Sequence, residues 1–187
     1  MNRDRENPWT VIRRQTVYEN PWIRIDHHDV INPSGGEGIY GKVLFRNLAI
    51  GILPVDQKGY TWLVGQYRFT MDQYSWEIPE GGCPIGTSPL ESAKRELQEE
   101  TGLTAGQWDL ILPEVHVSNS VTNEKGMAFL ARDLVPGPAA PEETEQLELK
   151  KVSLQEAIRM AREGEIQDLL SVVTLLKANL WQKEGML

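Results

Sequence analysis

At 187 residues the chain is long enough for one full domain and a modest appendage. Hydrophobic residues make up 40% and charged residues 25%, an ordinary globular balance, and no run approaches the roughly 20 apolar residues of a membrane span. The formal net charge of −8 argues against a general nucleic-acid binder. A small phosphorylated ligand stays open if divalent cations lie between the two sets of negative charge. Cys83 is the single cysteine, so neither an intrachain disulfide nor a cysteine-based zinc site can form. The N-terminus, MNRDRENPWT, lacks an apolar signal core, and a reducing, cytoplasmic setting is expected, with neither nucleic acid nor membrane as partner.

In chain order, the first third reads as β. Thr10–Tyr18 is rich in β-branched residues, and Trp22–Ile31 alternates around Ile23 and Ile25. The stretch Asn32-Pro33-Ser34-Gly35-Gly36 carries turn chemistry, and Ile39–Arg46 follows as a third strand. Such short strands predict a small N-terminal sheet that needs a partner surface for its second face. Leu48–Val55 and Tyr60–Phe69 are stronger strands, joined by the hairpin signal Asp56-Gln57-Lys58-Gly59. Ser88-Pro89-Leu90-Glu91 is a capping box with proline at N1; it predicts a helix to Thr101, stopped by Gly102. Strands are expected at Gln107–Val117, Gly126–Leu134 and Gln146–Val152, with the proline-rich acidic loop PGPAAPEETE before the last. A second capping box at Ser153 opens a helix ending at Gly164. A last helix, Gln167–Trp181, places Leu169, Val172, Val173, Leu176 and Leu180 at helical spacing, read as its core face.

The chemistry concentrates on the first helix. Glu96, Glu99 and Glu100 fall on one helical face at spacings of three and four. Like charges so placed repel by roughly 0.2–0.5 kcal/mol per pair, and the macrodipole disfavours them in the C-terminal half. Such a cluster calls for a compensating cation. Arg95 supplies part of that charge; a hard divalent ion with oxygen ligands would supply more. Leu90, Ala93 and Leu97, with Leu103 at the helix exit, would anchor the opposite face to a sheet. The Gly81-Gly82 pair lets backbone approach a ligand closely.

Gly81, Arg95, Glu96, Leu97, Glu99, Glu100, Gly102 and Leu103 together resemble the signature of the Nudix hydrolases, G-x5-E-x7-R-E-U-x-E-E-x-G-U, with U aliphatic. One position departs: Thr87 stands at the first glutamate, which in that family supports the motif arginine. Glu91, one turn before Arg95, is the expected replacement partner. The resemblance implies an α/β/α sandwich with a mixed β-sheet, preceded by a small N-terminal antiparallel β segment. It implies residues 1–46 as a dimerisation or exchange segment and residues 47–187 as the hydrolase domain. Carried over by position, Glu96 and Glu100 become the principal Mg²⁺ ligands (Mn²⁺ as substitute). Glu99 becomes a further ligand or a charge-tuning neighbour, the backbone carbonyl of Glu80 completes the coordination, and Arg95 supports it. Divalent ions neutralise a pyrophosphate and make water nucleophilic, and a general base takes the proton. In the ADP-ribose pyrophosphatase branch that base lies on a later loop, which here offers Glu142, Glu143 and Glu145; Glu143 is favoured, then Glu145.

Four further stretches resemble the ADP-ribose and nucleotide-sugar pyrophosphatases: Asn20-Pro21-Trp22, Gln66-Tyr67-Arg68, Ser75–Gly82, and Gly164-Glu165-Ile166-x-Asp168. The resemblance implies a homodimer acting on a nucleoside diphosphate derivative, ADP-ribose or a related sugar. A GDP-mannose-type pyrophosphatase and a non-catalytic nucleotide sensor are the alternatives. Arg68 suits a phosphate or ribose contact, or a plain strand end. Glu77 suits a ribose hydroxyl or base edge, or a pairing with Arg68. Trp22 suits stacking on a purine, or anchoring of the N-terminal arm. His27, His28 and His116 lack metal-ligand spacing, and the surroundings of Cys83 do not resemble a catalytic cysteine site.

Overall fold

The computed structural model describes residues 6–138 and 146–187. It divides into two compact units, one running to Asn47 and including His116–Glu124, the other Leu48–Val115 with Lys125–Leu187.

In the first unit, β1 (Thr10–Glu19), β2 (Ile23–Ile31) and β3 (Glu37–Phe45) form an antiparallel sheet in that order. Asparagine side chains close both turns by accepting backbone N–H groups. Asn20 Oδ1 takes those of Trp22 (2.9 Å) and Ile23 (2.8 Å), and Asn32 Oδ1 takes those of Ser34 and Gly36. Segment 116–124 fastens onto β3: Asn123 Oδ1 accepts from Phe45 N, Val121 O accepts from Val43 N, and the Tyr40 hydroxyl donates to Ser120 O. Every residue of β1 is exposed, including Val11, Ile12, Val17 and Tyr18. Asp26 is buried, held by the Thr16 hydroxyl (2.8 Å) and the guanidiniums of Arg14 and Arg24.

The second unit holds two sheets. Strands β4 (Asn47–Pro54), β7 (Glu80–Pro84), β8 (Leu103–His116) and β9 (Lys125–Pro136) lie in the order β7-β4-β9-β8, with β4 and β9 parallel. Strands β5 (Tyr60–Arg68), β6 (Gln73–Glu77) and β10 (Glu148–Ser153) form an antiparallel sheet in the order β10-β5-β6. Alternation along β4 and β9 sorts the core. Ile50, Ile52, Phe129 and Ala131 cluster with Ala93 and Leu97 of α1 (Pro89–Thr101). Leu53, Ala128 and Leu130 cluster instead with residues of α2 (Leu154–Glu163) and α3 (Leu169–Lys183). The result is the α/β/α sandwich with a mixed sheet. Gly51 is required on the second face, since a Cβ there would lie 2.9 Å from Ile78 and 3.2 Å from Leu170.

The caps form as their residues dictate. Ser88 Oγ accepts from Glu91 N, Pro89 opens α1, and Gly102 closes it at φ 70. Ser153 and Gly164 do the same for α2. Three expectations need correction. The Asp56–Gly59 turn forms, with Asp56 Oδ1 accepting from Lys58 N and Tyr60 N, and the isolated bridge Val55–Thr61 flanks it, yet β4 and β5 diverge into different sheets. Strands β6 and β7 were not anticipated, because prolines and glycines interrupt Gln73–Pro84. The apolar stripe of α3 is misplaced: Leu170, Ser171, Thr174, Leu175 and Ala178 are buried, whereas Leu169, Leu176 and Leu180 are exposed and Val172 and Val173 only partly buried. The helix is apolar nearly all round, so spacing alone does not select its inner face.

Candidate active site

The site is built where β7 meets the glutamate face of α1. Capping sets the phase of α1, and Ala93 and Leu97 anchor it to the sheet, so Glu96 and Glu100 come to lie inward, 8% and 3% exposed. Glu100 Oε2 accepts the backbone N–H of Glu80 at 3.0 Å. At Gly81 the backbone lies against the Glu96 carboxylate so closely that a Cβ would sit 1.9 Å from its carbon and 2.1 and 2.3 Å from its oxygens. Arg95 ties the two segments together. One guanidinium nitrogen donates to Gly82 O at 3.2 Å and to Glu96, and another to Glu99 at 2.5 Å. Burial works to lower the Arg95 pKa, but Glu96 and Glu99 outweigh it, and Arg95 stays firmly charged.

A second group adjoins this edge. Arg68, at the end of β5, grips the buried carboxylate of Glu77, at the end of β6, in a forked pair with Nε 2.9 Å from Oε1. The Glu77 bond, and the charges of Glu80 and Asp168, raise the Arg68 pKa. Glu80 stands between them: its Oε1 accepts from the Ser171 hydroxyl at 2.8 Å. Burial, then the neighbouring Asp168 carboxylate and Glu77, push the Glu80 carboxyl well above the ordinary carboxylate range, so it holds its proton more tightly than an exposed glutamate.

These contacts sort the candidates. Glu80, Arg95, Glu96, Glu99 and Glu100 come together between β7 and α1, and Arg68 with Glu77 lies beside Glu80. Glu77 is paired with Arg68. Glu91 does not replace the missing motif glutamate: it binds Lys94 at 2.8 Å, and Arg95 turns to Gly82, Glu96 and Glu99 instead. Thr87 closes the preceding turn, donating to Pro84 O at 2.7 Å and lying 3.2 Å from Cys83 Sγ. Trp22 stands on the β1–β2 turn of the first unit, 66% exposed. Glu142, Glu143 and Glu145 lie outside the described residues. Reading by pattern missed Ser171 and gave no role to Asp168; their links to Glu80 join residues some 90 positions apart, and only the Asp168 cap has a local signal.

Among the described residues, no three histidine, cysteine or acidic side chains are already gathered as a metal cluster; Glu96 and Glu99 point to Arg95. The donor set nevertheless fits a hard divalent cation. Every donor is oxygen, from the carboxylates of Glu96, Glu99 and Glu100 and the carbonyl of Glu80. The place beside Gly81 that a Cβ would take is filled by the Glu96 carboxylate, which the glycine lets lie against the β7 backbone.

Comparison with known proteins gives the family and the fold. Residues 45–171 match the NUDIX domain, and residues 9–43 match the nucleoside diphosphate sugar hydrolase N-terminal domain. The chain therefore belongs to the NUDIX family, whose signature helix is α1. It is 28% identical to the ADP-ribose pyrophosphatase of Mycobacterium tuberculosis over 91% of this chain and 83% of that one. It is also 28% identical to the ADP-ribose pyrophosphatase of Bacillus subtilis, over 84% and 85%. A solved structure described as an ADP compounds hydrolase superposes with TM-score 0.84, covering 96% of this chain and 97% of the other at 22% identity, which establishes a shared fold.

Proposed function

We propose that the chain is a pyrophosphohydrolase that cleaves the diphosphate of ADP-ribose, or a related nucleoside diphosphate sugar, to a nucleoside monophosphate and a sugar phosphate. The carrying observation is the pair of inward carboxylates, Glu96 and Glu100, set against a backbone stripped of side chain at Gly81. Relatives of nearly full length that bear the ADP-ribose pyrophosphatase name support this substrate class.

Glu96 and Glu100, with Glu99 and the Glu80 carbonyl, would hold Mg²⁺, or Mn²⁺ in its place. The bound cation supplies charge neutralisation at the diphosphate and a more acidic water. The protein's own part is placement. The Glu80 N–H orients Glu100, Arg95 ties Gly82 to Glu96, and Arg68 presents a cation for a phosphate or ribose oxygen. Water adds to one phosphorus, the bridging P–O bond breaks, and one of Glu142, Glu143 and Glu145 takes the water's proton; Glu143 is the first candidate and Glu145 the second. Trp22 offers an exposed indole for stacking on a base. Exposed apolar residues on β1 support a homodimer formed through the N-terminal sheet. Intact Glu96, Glu99 and Glu100 favour an enzyme over a nucleotide sensor, and a single buried thiol suits a cytoplasmic setting.

Purified protein with Mg²⁺ is expected to release AMP from ADP-ribose. Glu100→Gln should lower that rate by several orders of magnitude with an unchanged circular dichroism spectrum. An undiminished rate would remove the metal role assigned to Glu100.

A further inference from the structure

We infer that Ser171 is a positioning residue for the metal-binding edge: through it, α3 holds the Glu80 segment, and with it Glu100, in the attitude a cation needs. The inference rests on the metal-site reading above and deepens it.

Ser171 is fully buried in the first turn of α3. Its backbone N–H is taken by the Asp168 cap at 2.7 Å, so the residue is set by the helix start itself. Its hydroxyl is used in both directions, accepting from Ile78 N at 3.0 Å and donating to Glu80 Oε1 at 2.8 Å. A hydroxyl has one hydrogen to give, so this pairing fixes its rotor. Between those two partners, Pro79 O accepts from Ile52 N of β4 at 2.8 Å. The segment 78–80 is thus pinned from α3 on both sides of a pin from the sheet. The next bond in the series leaves it for the site: Glu80 N–H donates to Glu100 Oε2 at 3.0 Å. Four directional bonds therefore run from the Asp168 cap to a candidate metal ligand, and the carbonyl of Glu80 is carried by the same segment.

Removing the hydroxyl leaves the Ile78 N–H without its partner on α3 and the Glu80 carboxyl with Asp168 alone. Pro79 stays bonded to β4, but the segment loses its tie to α3, and the aim of the Glu80 N–H at Glu100, with that of the Glu80 carbonyl, loosens. Groups that orient metal ligands typically change metal affinity by about 10–100-fold when lost. Thr174, one turn further along α3, is an internal control. It is equally buried, and its hydroxyl has no hydrogen-bond partner among the described residues.

The test is Mn²⁺ binding to the full-length protein without nucleotide, followed by electron paramagnetic resonance, for wild type, Ser171→Ala, Ser171→Cys and Thr174→Val. Ser171→Ala is expected to weaken Mn²⁺ binding about tenfold, at the low end of that range. Ser171→Cys, which is slightly larger and keeps a weak donor, should fall between it and wild type and serves if the alanine variant does not fold. Thr174→Val should stay within about twofold of wild type. In turnover, the Ser171→Ala deficit should be recovered by raising Mg²⁺, with the nucleotide KM unchanged at saturating metal. Folded Ser171→Ala with wild-type Mn²⁺ affinity, or an equal loss in Thr174→Val, overturns the assignment to Ser171 alone. A wild type that binds no Mn²⁺ overturns the metal-site reading with it.

Discussion

Gly81→Ala tests the closest approach in the site. The alanine Cβ would lie 1.9 Å from the carboxylate carbon of Glu96, and ordinary contact begins at 3.4 Å, so that carboxylate must retreat by about 1.5 Å. The backbone itself tolerates alanine, because Gly81 is not among the glycines with positive φ. The obstacle is the end of a side chain, not neighbouring backbone, so the fold should survive at a cost near the lower end of the ~1–3 kcal/mol typical of overpacking. The function should not survive as well. A misplacement of about 1 Å in a reacting constellation can cost about 10²-fold, and Arg95, bonded to both Gly82 and Glu96, must shift too. Release of AMP from ADP-ribose, measured across a Mg²⁺ titration, should therefore fall about 100-fold at saturating metal. A thermal melt run beside it should show a folded protein. A folded Gly81→Ala variant within about threefold of the wild-type rate would refute the reasoning, for it would mean that Glu96 need not occupy the space beside position 81.

Arg68→Ala strips the buried Glu77 of its counter-charge beside Glu80 and Asp168. Because Arg68 is partly exposed, the expected destabilisation is moderate, about 1–3 kcal/mol, with a raised nucleotide KM; unchanged values of both would dismiss Arg68 from the site. Asp26 carries a pH dependence for the N-terminal unit. Burial works to raise its pKa, but the Thr16 hydroxyl and the Arg14 and Arg24 guanidiniums outweigh it and hold it below the ordinary 3.8. A depressed carboxylate contributes stability above its unfolded pKa and loses it as pH falls through the folded value. Asp26→Asn should therefore be less stable than wild type at neutral pH, and the gap should narrow as pH falls below 3.8 and through the lower folded value; a gap that persists undiminished in acid would contradict this. Sedimentation velocity should give twice the 21.2 kDa chain mass, and Ile12→Glu with Val17→Glu should halve it. A wild-type monomer would exclude the dimer.

The two capped helices, α1 and α2, and the shared face of Glu96, Glu99 and Glu100 were legible from sequence because their causes are local. A serine three residues before its acceptor N–H, a glycine at a left-handed C-terminus and carboxylates four apart all act within a turn or two of helix. The length and specificity of the motif supplied the family. Other features depended on what lies across the fold. The Asp56–Gly59 turn has the same chemistry whether its strands pair or part, and only the docking of β9 beside β4 sends them into separate sheets. An α3 that is apolar nearly all round has no contrast to mark its inner face, so packing against the sheet chose Leu170, Ser171, Thr174, Leu175 and Ala178. Glu91 stood at the right spacing for Arg95, but stronger partners waited in Glu96, Glu99 and the Gly82 carbonyl.

The sequence by itself thus determined where the carboxylates stand on their helix and which chemistry they suit, since helical periodicity is intrinsic to the backbone. Tertiary structure alone decided what holds them: the Gly81 contact with Glu96 and the Ser171–Glu80–Glu100 series. Hydrogen bonds and close contacts between distant segments exist only once those segments pack, and side-chain spacing along the chain carries no record of them.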